Sequence, residues 1–351
     1  MGPSPTGRTR PLTRRLPLVV LALAALLLAA CGERKEPTAA PAQERLRLML
    51  DYFPNADHAG IYAAKGNGAF SRAGLDVQIQ TPSDPAAPLK LLAAGKVDLA
   101  ISYEPELLLA RDKGLQLVAV GALVQKPLTA IISIGKHAIA DPKDLKGKTV
   151  GTAGIPYQSA YLKAILARAG VDPSSVKEVN VGFNLVPAMK TKKVDATLGA
   201  FWNYEGVQLR LDKQRPKIIR MENVGVPTYQ ELVIVARRQD LGKGGERVRR
   251  FVRALGQGQA ALRSNPATGV EPLLKANPDL QRDLQLESVK ATLPVFFPAA
   301  DKPFGWMDPA EWARYGAWMY SNKLLSRPPN AARALTDDFL PGQGLADTGA
   351  G

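Results

Sequence analysis

The sequence predicts an α/β protein of two similar lobes facing one cleft, each lobe a mainly parallel sheet flanked by helices. Three observations predict it. From Arg45 to Ile234, short apolar runs alternate with helical segments, the pattern of parallel sheets covered by helices. A strand opening Lys96-Val97-Asp98 and running into Tyr103-Glu104 is echoed by one opening Lys193-Val194-Asp195 and running into Phe201-Trp202-Asn203-Tyr204-Glu205. Ligands of open α/β sheets lie outside the carboxyl ends of the strands, so two such loops point to one shared cleft. Beyond Ile234 the texture turns to helix.

The chain has 351 residues and begins with a segment that is not part of this pattern. Residues 1–15 hold Arg8, Arg10, Arg14 and Arg15 and no acid, and the apolar run Leu16–Ala30 is interrupted only by Pro17. That run is shorter than the ~20 residues a membrane span needs. A basic segment, a short apolar segment and small residues form the layout of a secretion signal. Its end, Leu28-Ala29-Ala30-Cys31, resembles the bacterial lipobox, which implies cleavage after residue 30 and a lipid on Cys31. Arg14-Arg15 leaves twin-arginine export open as the alternative route. Cys31 is the single cysteine, so neither an intramolecular disulfide nor a thiolate metal cluster can form. Residues 31–44 are expected to be a lipid-anchored tether, Pro-, Ala- and Gln-rich and flexible.

So basic a chain raises the question of a nucleic-acid partner. Loss of the signal takes the formal charge from +14 to +10, because it carries four arginines and no acids. The remaining basic residues (Lys190, Lys192 and Lys193, Arg237-Arg238, Lys243 to Arg253) are spread out and not interleaved with aromatics. They read as solvated faces, with attraction to an anionic membrane as the alternative; no nucleic acid is expected.

Element by element, Arg45–Asp51 and Leu75–Gln80 read as strands, Leu89–Ala94 as a helix and Val97–Ser102 as a strand, with a further apolar run at Leu117–Val124. The strand Thr149–Thr152, the helix Tyr157–Ala169 and the strand Val176–Val181 follow. After them come a short helix at Val186–Thr191 and the strand Val194–Ala200. In Glu246–Ser264 the apolar residues Val248, Phe251, Val252, Leu255 and Leu262 keep helical spacing, and Trp312, Tyr315 and Met319 form one face of Glu311–Met319. That aromatic stripe reads as core. The sequence contains two histidines, His58 and His137, the latter expected at the surface, and no His-x-x-x-His. It lacks a Gly-x-x-x-x-Gly-Lys-Ser/Thr loop and a Gly-x-Ser-x-Gly elbow. Gly147-Lys148-Thr149 leads into a strand and reads as a turn. No metal and no cofactor is expected.

Four segments stand out: Leu50-Asp51-Tyr52-Phe53-Pro54-Asn55-Ala56-Asp57-His58-Ala59-Gly60-Ile61-Tyr62-Ala63-Ala64, Gly68-Ala69-Phe70 with Gly74-Leu75-Asp76-Val77, the stretch Ala94 to Tyr103, and the stretch Asp144 to Gly151. Together they resemble the thiamine-pyrimidine family of ABC solute-binding proteins. The first is the more specific for the pyrimidine-binding branch; the others recur among sulfonate and riboflavin receptors. The resemblance implies a type II periplasmic-binding-protein fold whose lobes close by a hinge. It also implies a permease and an ATPase as partners, and a formylated aminomethyl-pyrimidine as ligand. A related fungal branch resembles an iron-dependent enzyme with a cysteine-rich motif that this chain lacks, so no enzyme is expected.

For a flat ligand, apolar on its faces and polar at its edge, aromatic walls and a few placed donors and acceptors are needed. The candidate walls are Tyr52, Tyr103, Tyr157, Trp202 and Tyr229; the candidate edge readers are Asp51, Asn55, His58, Asn203, Glu205 and Glu231. Asp51 has the alternative of capping the helix after Pro54, His58 of being a core residue bonded to backbone, and Tyr229 of serving a hinge. The expected organisation is lobe 1 from 45–127 and 230–340, lobe 2 from 128–229, and a disordered tail from 341–351. The expected protein is a monomer held outside the cytoplasm, in periplasm or at the cell surface, by its lipid. A receptor for riboflavin or another flat heterocycle is the alternative, and a pyrimidine-forming enzyme ranks below it. A sulfonate also ranks lower, because no arginine cluster falls in the motif loops.

Overall fold

In the computed structural model, Gly2 and residues 43–136 and 138–342 are described. The expected secretion signal apart from Gly2, the lipidation site Cys31, the tether up to Ala42, His137 and the tail beyond Gly342 lie outside those residues.

The first stretch of the unit that begins at Gln43 contains β1 (Glu44–Met49), α1 (Ala59–Gly66), α2 (Ala69–Arg72), β2 (Leu75–Gln80), α3 (Pro88–Ala93), β3 (Leu99–Ser102), α4 (Glu104–Asp112) and β4 (Leu117–Val124). The second contains β5 (Thr129–Ser133), β6 (Thr149–Thr152), α5 (Pro156–Arg168), β7 (Lys177–Asn180), α6 (Leu185–Lys190), β8 (Ala196–Phe201), α7 (Glu205–Leu211) and β9 (Lys217–Arg220). The chain then returns through β10 (Leu232–Arg237) to four helices, α8 (Gly245–Ser264), α9 (Ala267–Ala276), α10 (Arg282–Phe296) and α11 (Pro309–Ser321).

The strands form two five-stranded sheets, β2-β1-β3-β10-β4 and β7-β6-β8-β5-β9. Their plans are the same. In each, three strands pair in parallel and a fourth runs against them, and that fourth strand is the first one made after the chain crosses from the other sheet. The fifth strand pairs antiparallel with it. Every residue of β4 and of β8 is buried, as near-continuous apolar strands covered on both faces should be.

The repeated Lys-Val-Asp has a physical cause. The Asp98 carboxylate accepts the Arg47 N–H at 2.7 Å while the Asp98 N–H donates to Arg47 O at 2.9 Å. In the other lobe the Asp195 carboxylate accepts the Thr149 N–H at 2.8 Å, and the Asp195 N–H donates to Thr149 O at 2.8 Å. Each aspartate therefore fixes the register at which the third parallel strand joins the first.

Several expectations need correction. Glu44 already belongs to β1, so the tether ends earlier than residue 44. The strands β5, β9 and β10 and the helices α2, α4 and α7 were not predicted, and helix does not follow Ile234 directly, because β10 continues to Arg237. In α8 the five predicted apolar positions are all buried. This helix crosses α1 where Gly258 lies against the Gly60 carbonyl, so closely that a Cβ at Gly258 would collide with backbone. Helix α10 touches both the turn before α1 and helix α7, and so bridges the two lobes.

Candidate functional site

Asp51, two residues past the end of β1, is 2% exposed at the carboxyl edge of the first sheet. The turn after it is capped by Asn55, not by Asp51: Asn55 Oδ1 accepts the Asp57 N–H at 2.8 Å, and Asn55 Nδ2 donates to Phe53 O at 3.1 Å. The Asn55 N–H in turn donates to His58 Nδ1 at 3.2 Å. An accepting Nδ1 leaves the ring proton on Nε2, which donates to Asp51 Oδ1 at 2.8 Å. The second carboxylate oxygen accepts the Tyr103 hydroxyl at 2.7 Å. Each oxygen of Asp51 thus receives one donor from the protein and keeps a further lone pair for a ligand.

Asp51, Tyr52, Asn55 and Tyr103 line a cavity of about 20 Å³ whose other side is built from the second lobe. There the lining residues include Ile155, Gln158, Leu185, Phe201, Tyr204 and Glu205. Gly199, also lining it, has φ +110° and no room for a Cβ, because the Gln158 amide lies against it. Gln158 Oε1 accepts the Ala153 N–H at 2.8 Å, so this amide is held in the strand-to-helix turn. Glu205 opens α7, and its Oε2 accepts the Phe201 N–H at 2.7 Å. Burial raises the Glu205 carboxyl to about 7. The Tyr52 and Tyr103 hydroxyls are raised too, first by burial and then by nearby carboxylates, so both are donors at neutral pH. At the rim Tyr52 reaches across the cleft, donating to Gly182 O at 3.4 Å and meeting the Phe183 ring edge-on at 4.7 Å.

The structure thus gathers Asp51, Tyr52, Asn55, Tyr103 and Glu205 around the cleft, with His58 directly behind Asp51. Five other predicted residues lie elsewhere. Tyr157 is fully buried behind Tyr103, with ring centroids 5.3 Å apart and its hydroxyl 3.1 Å from Thr129 Oγ1; its neighbour Gln158 is the one at the cleft. Trp202 turns toward the first crossover, where its Nε1 donates to Pro127 O at 3.0 Å and Arg220 stacks on its ring at 4.0 Å. Asn203 is bonded to Asp57 and Thr292, away from the cavity. Tyr229 and Glu231 belong to the second crossover. Glu231 accepts the N–H groups of Leu128 and Thr129 at 2.6 and 2.8 Å, the Thr129 hydroxyl at 2.9 Å and the Tyr229 hydroxyl at 2.9 Å. It ties the two crossovers together.

Sequence reasoning missed Gln158, Phe201 and Tyr204. Tyr204 lines the cleft while its hydroxyl accepts from Gln285 Nε2 at 3.1 Å. The signal for it was present: it lies between the two polar residues chosen from the second strand-end loop. Which of five consecutive residues faces a cleft depends on the turn after β8, and the sequence did not show that turn. Among the described residues no group of three or more His, Cys, Asp or Glu is placed to hold a metal ion.

Comparison with known proteins agrees with this architecture. The family described as "NMT1/THI5 like" matches residues 55–268. A formylaminopyrimidine-binding protein of Halalkalibacterium halodurans is 33% identical over 91% of this chain and 97% of its own length. A 4-amino-5-hydroxymethyl-2-methylpyrimidine phosphate synthase of Legionella pneumophila is 25% identical over 87% of this chain and 95% of that protein. Among solved structures, the alkanesulfonate-binding protein of Xanthomonas axonopodis pv. citri, bound to MOPS, superposes with a TM-score of 0.66 at 20% identity. That match covers 85% of this chain and 99% of the other. The shared fold is the two-lobed type II periplasmic-binding-protein fold.

Proposed function

We propose, from the premise that the chain belongs to the NMT1/THI5-like family, that it is the solute-binding component of an ABC importer and takes up a thiamine-precursor pyrimidine of the formylaminopyrimidine type. The observation that carries this reading is the Asp51 carboxylate between His58 and Tyr103, facing Glu205 across a cleft walled by aromatic rings. A carboxylate accepts from an exocyclic amine, and the rings of Tyr52, Phe201 and Tyr204 suit a flat heterocycle. The cavity of about 20 Å³ holds about one water molecule, so a heterocycle enters only when the lobes part. Asp51, Tyr52, Tyr103, Gln158, Tyr204 and Glu205 are the proposed ligand-binding residues, with Asn55 and His58 holding Asp51 in place.

The same reading makes the protein an extracytoplasmic monomer, exported on its first 30 residues and anchored by lipid at Cys31, with a permease and an ATPase as partners. It makes the protein a receptor, not a synthase. In favour of this, its one described histidine is spent on Asp51 and Asn55, and its one cysteine stands at the lipobox.

Thermal unfolding with a ligand panel tests the proposal: formylaminopyrimidine, hydroxymethylpyrimidine, riboflavin and an alkanesulfonate. A ligand at about 100 times its Kd, bound to the folded state alone, adds about 2.7 kcal/mol of stability. A raised midpoint with the formylaminopyrimidine is expected. A response to riboflavin alone would reassign the ligand, and a pyridoxal-type absorbance after incubation with pyridoxal phosphate would revive the enzyme reading.

A further inference from the structure

Asn203 and Asp57 meet across the lobes. Asp57 lies in the turn before α1 of the first lobe, and Asn203 in the loop between β8 and α7 of the second. Asn203 Nδ2 donates to Asp57 Oδ1 at 2.6 Å and to Thr292 Oγ1, on α10, at 2.6 Å. The Thr292 hydroxyl spends its own proton on Ser288 O at 2.7 Å. Both neighbours are therefore acceptors, and the amide nitrogen belongs where it is.

That leaves one oxygen on each partner. Asp57 Oδ2 and Asn203 Oδ1 are both buried and have no hydrogen-bond partner in the protein. Two buried orphan oxygens on a bonded pair are costly, and a proton on Asp57 Oδ2 would neutralise the buried carboxylate and turn that oxygen into a donor.

We propose that Asp57 and Asn203 form a protonation-dependent latch between the lobes, a pair of carboxylic acid and amide that assembles when the cleft closes and takes up one proton from solvent. The surroundings support it. Asp57 is 1% exposed; burial is the main cause that raises it, to about 7, against the Asn203 hydrogen bond and against His58, which pulls it down only when its ring is protonated. Asp51 from the end of β1 and Glu205 from the second lobe push the same way as burial, and α10 contributes the neutral Thr292. Opening the lobes returns Asp57 to water and toward the ordinary value of 3.8. The closed form therefore binds the proton more tightly, and acid favours closure. Between the two values the ratio of closed to open molecules falls about tenfold for each unit that pH rises.

The test needs no transport ligand, so its outcome is independent of the pyrimidine assignment. Spin labels on Lys90→Cys and Lys190→Cys, both exposed and on different lobes, report the inter-lobe distance in the full chain carrying Cys31→Ser. The expected result is a shift toward the longer distance between pH 5 and pH 8. Asp57→Asn replaces the acid with an amide that gives and accepts without a proton, and is expected to hold the shorter distance at both pH values. Asn203→Ala removes the partner and is expected to favour the longer distance at both, and Glu205→Gln separates the effect from the other titrating carboxyl of the cleft. Far-UV circular dichroism checks that each variant is folded. A distance distribution unchanged from pH 5 to pH 8 overturns the proposal, as does an Asp57→Asn protein that opens with pH like the parent.

Discussion

Asp51 is the residue on which the cleft chemistry depends, because its two oxygens and its neighbours leave no freedom in who donates. The Asn55 N–H occupies His58 Nδ1, so Nε2–H must find an acceptor, and the Tyr103 hydroxyl needs one as well. In Asp51→Asn one of these donors would face an NH₂ group. The expected cost is about 1–3 kcal/mol of stability, the penalty for a buried donor left unpaired. Affinity for an amine-bearing heterocycle should fall about tenfold or more, which corresponds to about 1.4 kcal/mol. Tyr103→Phe, which keeps the ring and removes one donor, should cost less on both counts. Urea unfolding and calorimetric titration of the two variants would decide. If Asp51→Asn bound as tightly as the parent, Asp51 would be a structural carboxylate and the edge-reading role would pass to Glu205. These roles were half legible. The sequence placed Asp51, Tyr103 and Glu205 at strand ends and the structure brings them to the cleft, but Tyr157, Trp202 and Asn203 face away from the cavity. Direction within a loop is set by turns such as the one capped by Asn55, whose partners are known only when the turn is seen.

At the level of elements, the strands that were legible are those with a local cause. The Lys-Val-Asp echo is a register device, and the helical spacing in α8 corresponds to a buried face. The strand β5 carries a local signal that the prediction did not use, the apolar run Leu128–Ile134 between Pro127 and Gly135, whereas β9 has only Ile218-Ile219 and is a strand because β5 offers it a ladder. The place of Glu231 depends likewise on partners distant in sequence, since it collects donors from a crossover about a hundred residues away. The α1–α8 crossing tests how closely an element must fit. Gly258 has the Gly60 carbonyl and the Ala64 amide against it, both backbone and unable to rotate aside. Gly258→Ala would ordinarily help a helix by up to about 1 kcal/mol. Here overpacking should outweigh that and leave the protein about 1–3 kcal/mol less stable. Because α1 follows directly on the Asp57–His58 turn, the same variant should also weaken ligand binding. A midpoint at or above that of the parent would mean that the helices can part without loss.

The whole molecule buries carboxyl groups beyond those of the latch, and this fixes the direction of its response to pH. Burial raises Asp57, Glu106 and Glu205 each to about 7, from ordinary values of 3.8 to 4.5. Glu106 lies on α4 in the first lobe and Glu205 on α7 in the second, so the effect is not confined to one site. Between the unfolded and folded values the native protein holds protons that the unfolded chain has released. Stability must then fall as pH rises through that window and level off above about 7, the reverse of the usual trend for salt-bridged carboxylates. Each pH unit across which the folded chain keeps a proton that the unfolded chain has lost is worth about 1.4 kcal/mol, so each group contributes on the order of 3 kcal/mol between pH 5 and pH 8. The opposing influence is net charge: residues 31–351 already carry +10, and protonating their exposed acids in stronger acid would add repulsion. The comparison therefore belongs between pH 5 and pH 8 and not lower. Scanning calorimetry should find the unfolding midpoint several degrees higher at pH 5, and Glu106→Gln, which removes a titrating group outside the cleft, should reduce that difference. A midpoint that is flat or rises toward pH 8 would mean that these carboxyls ionise in place, stabilised by water within the fold, and that the latch lacks the proton on which it depends.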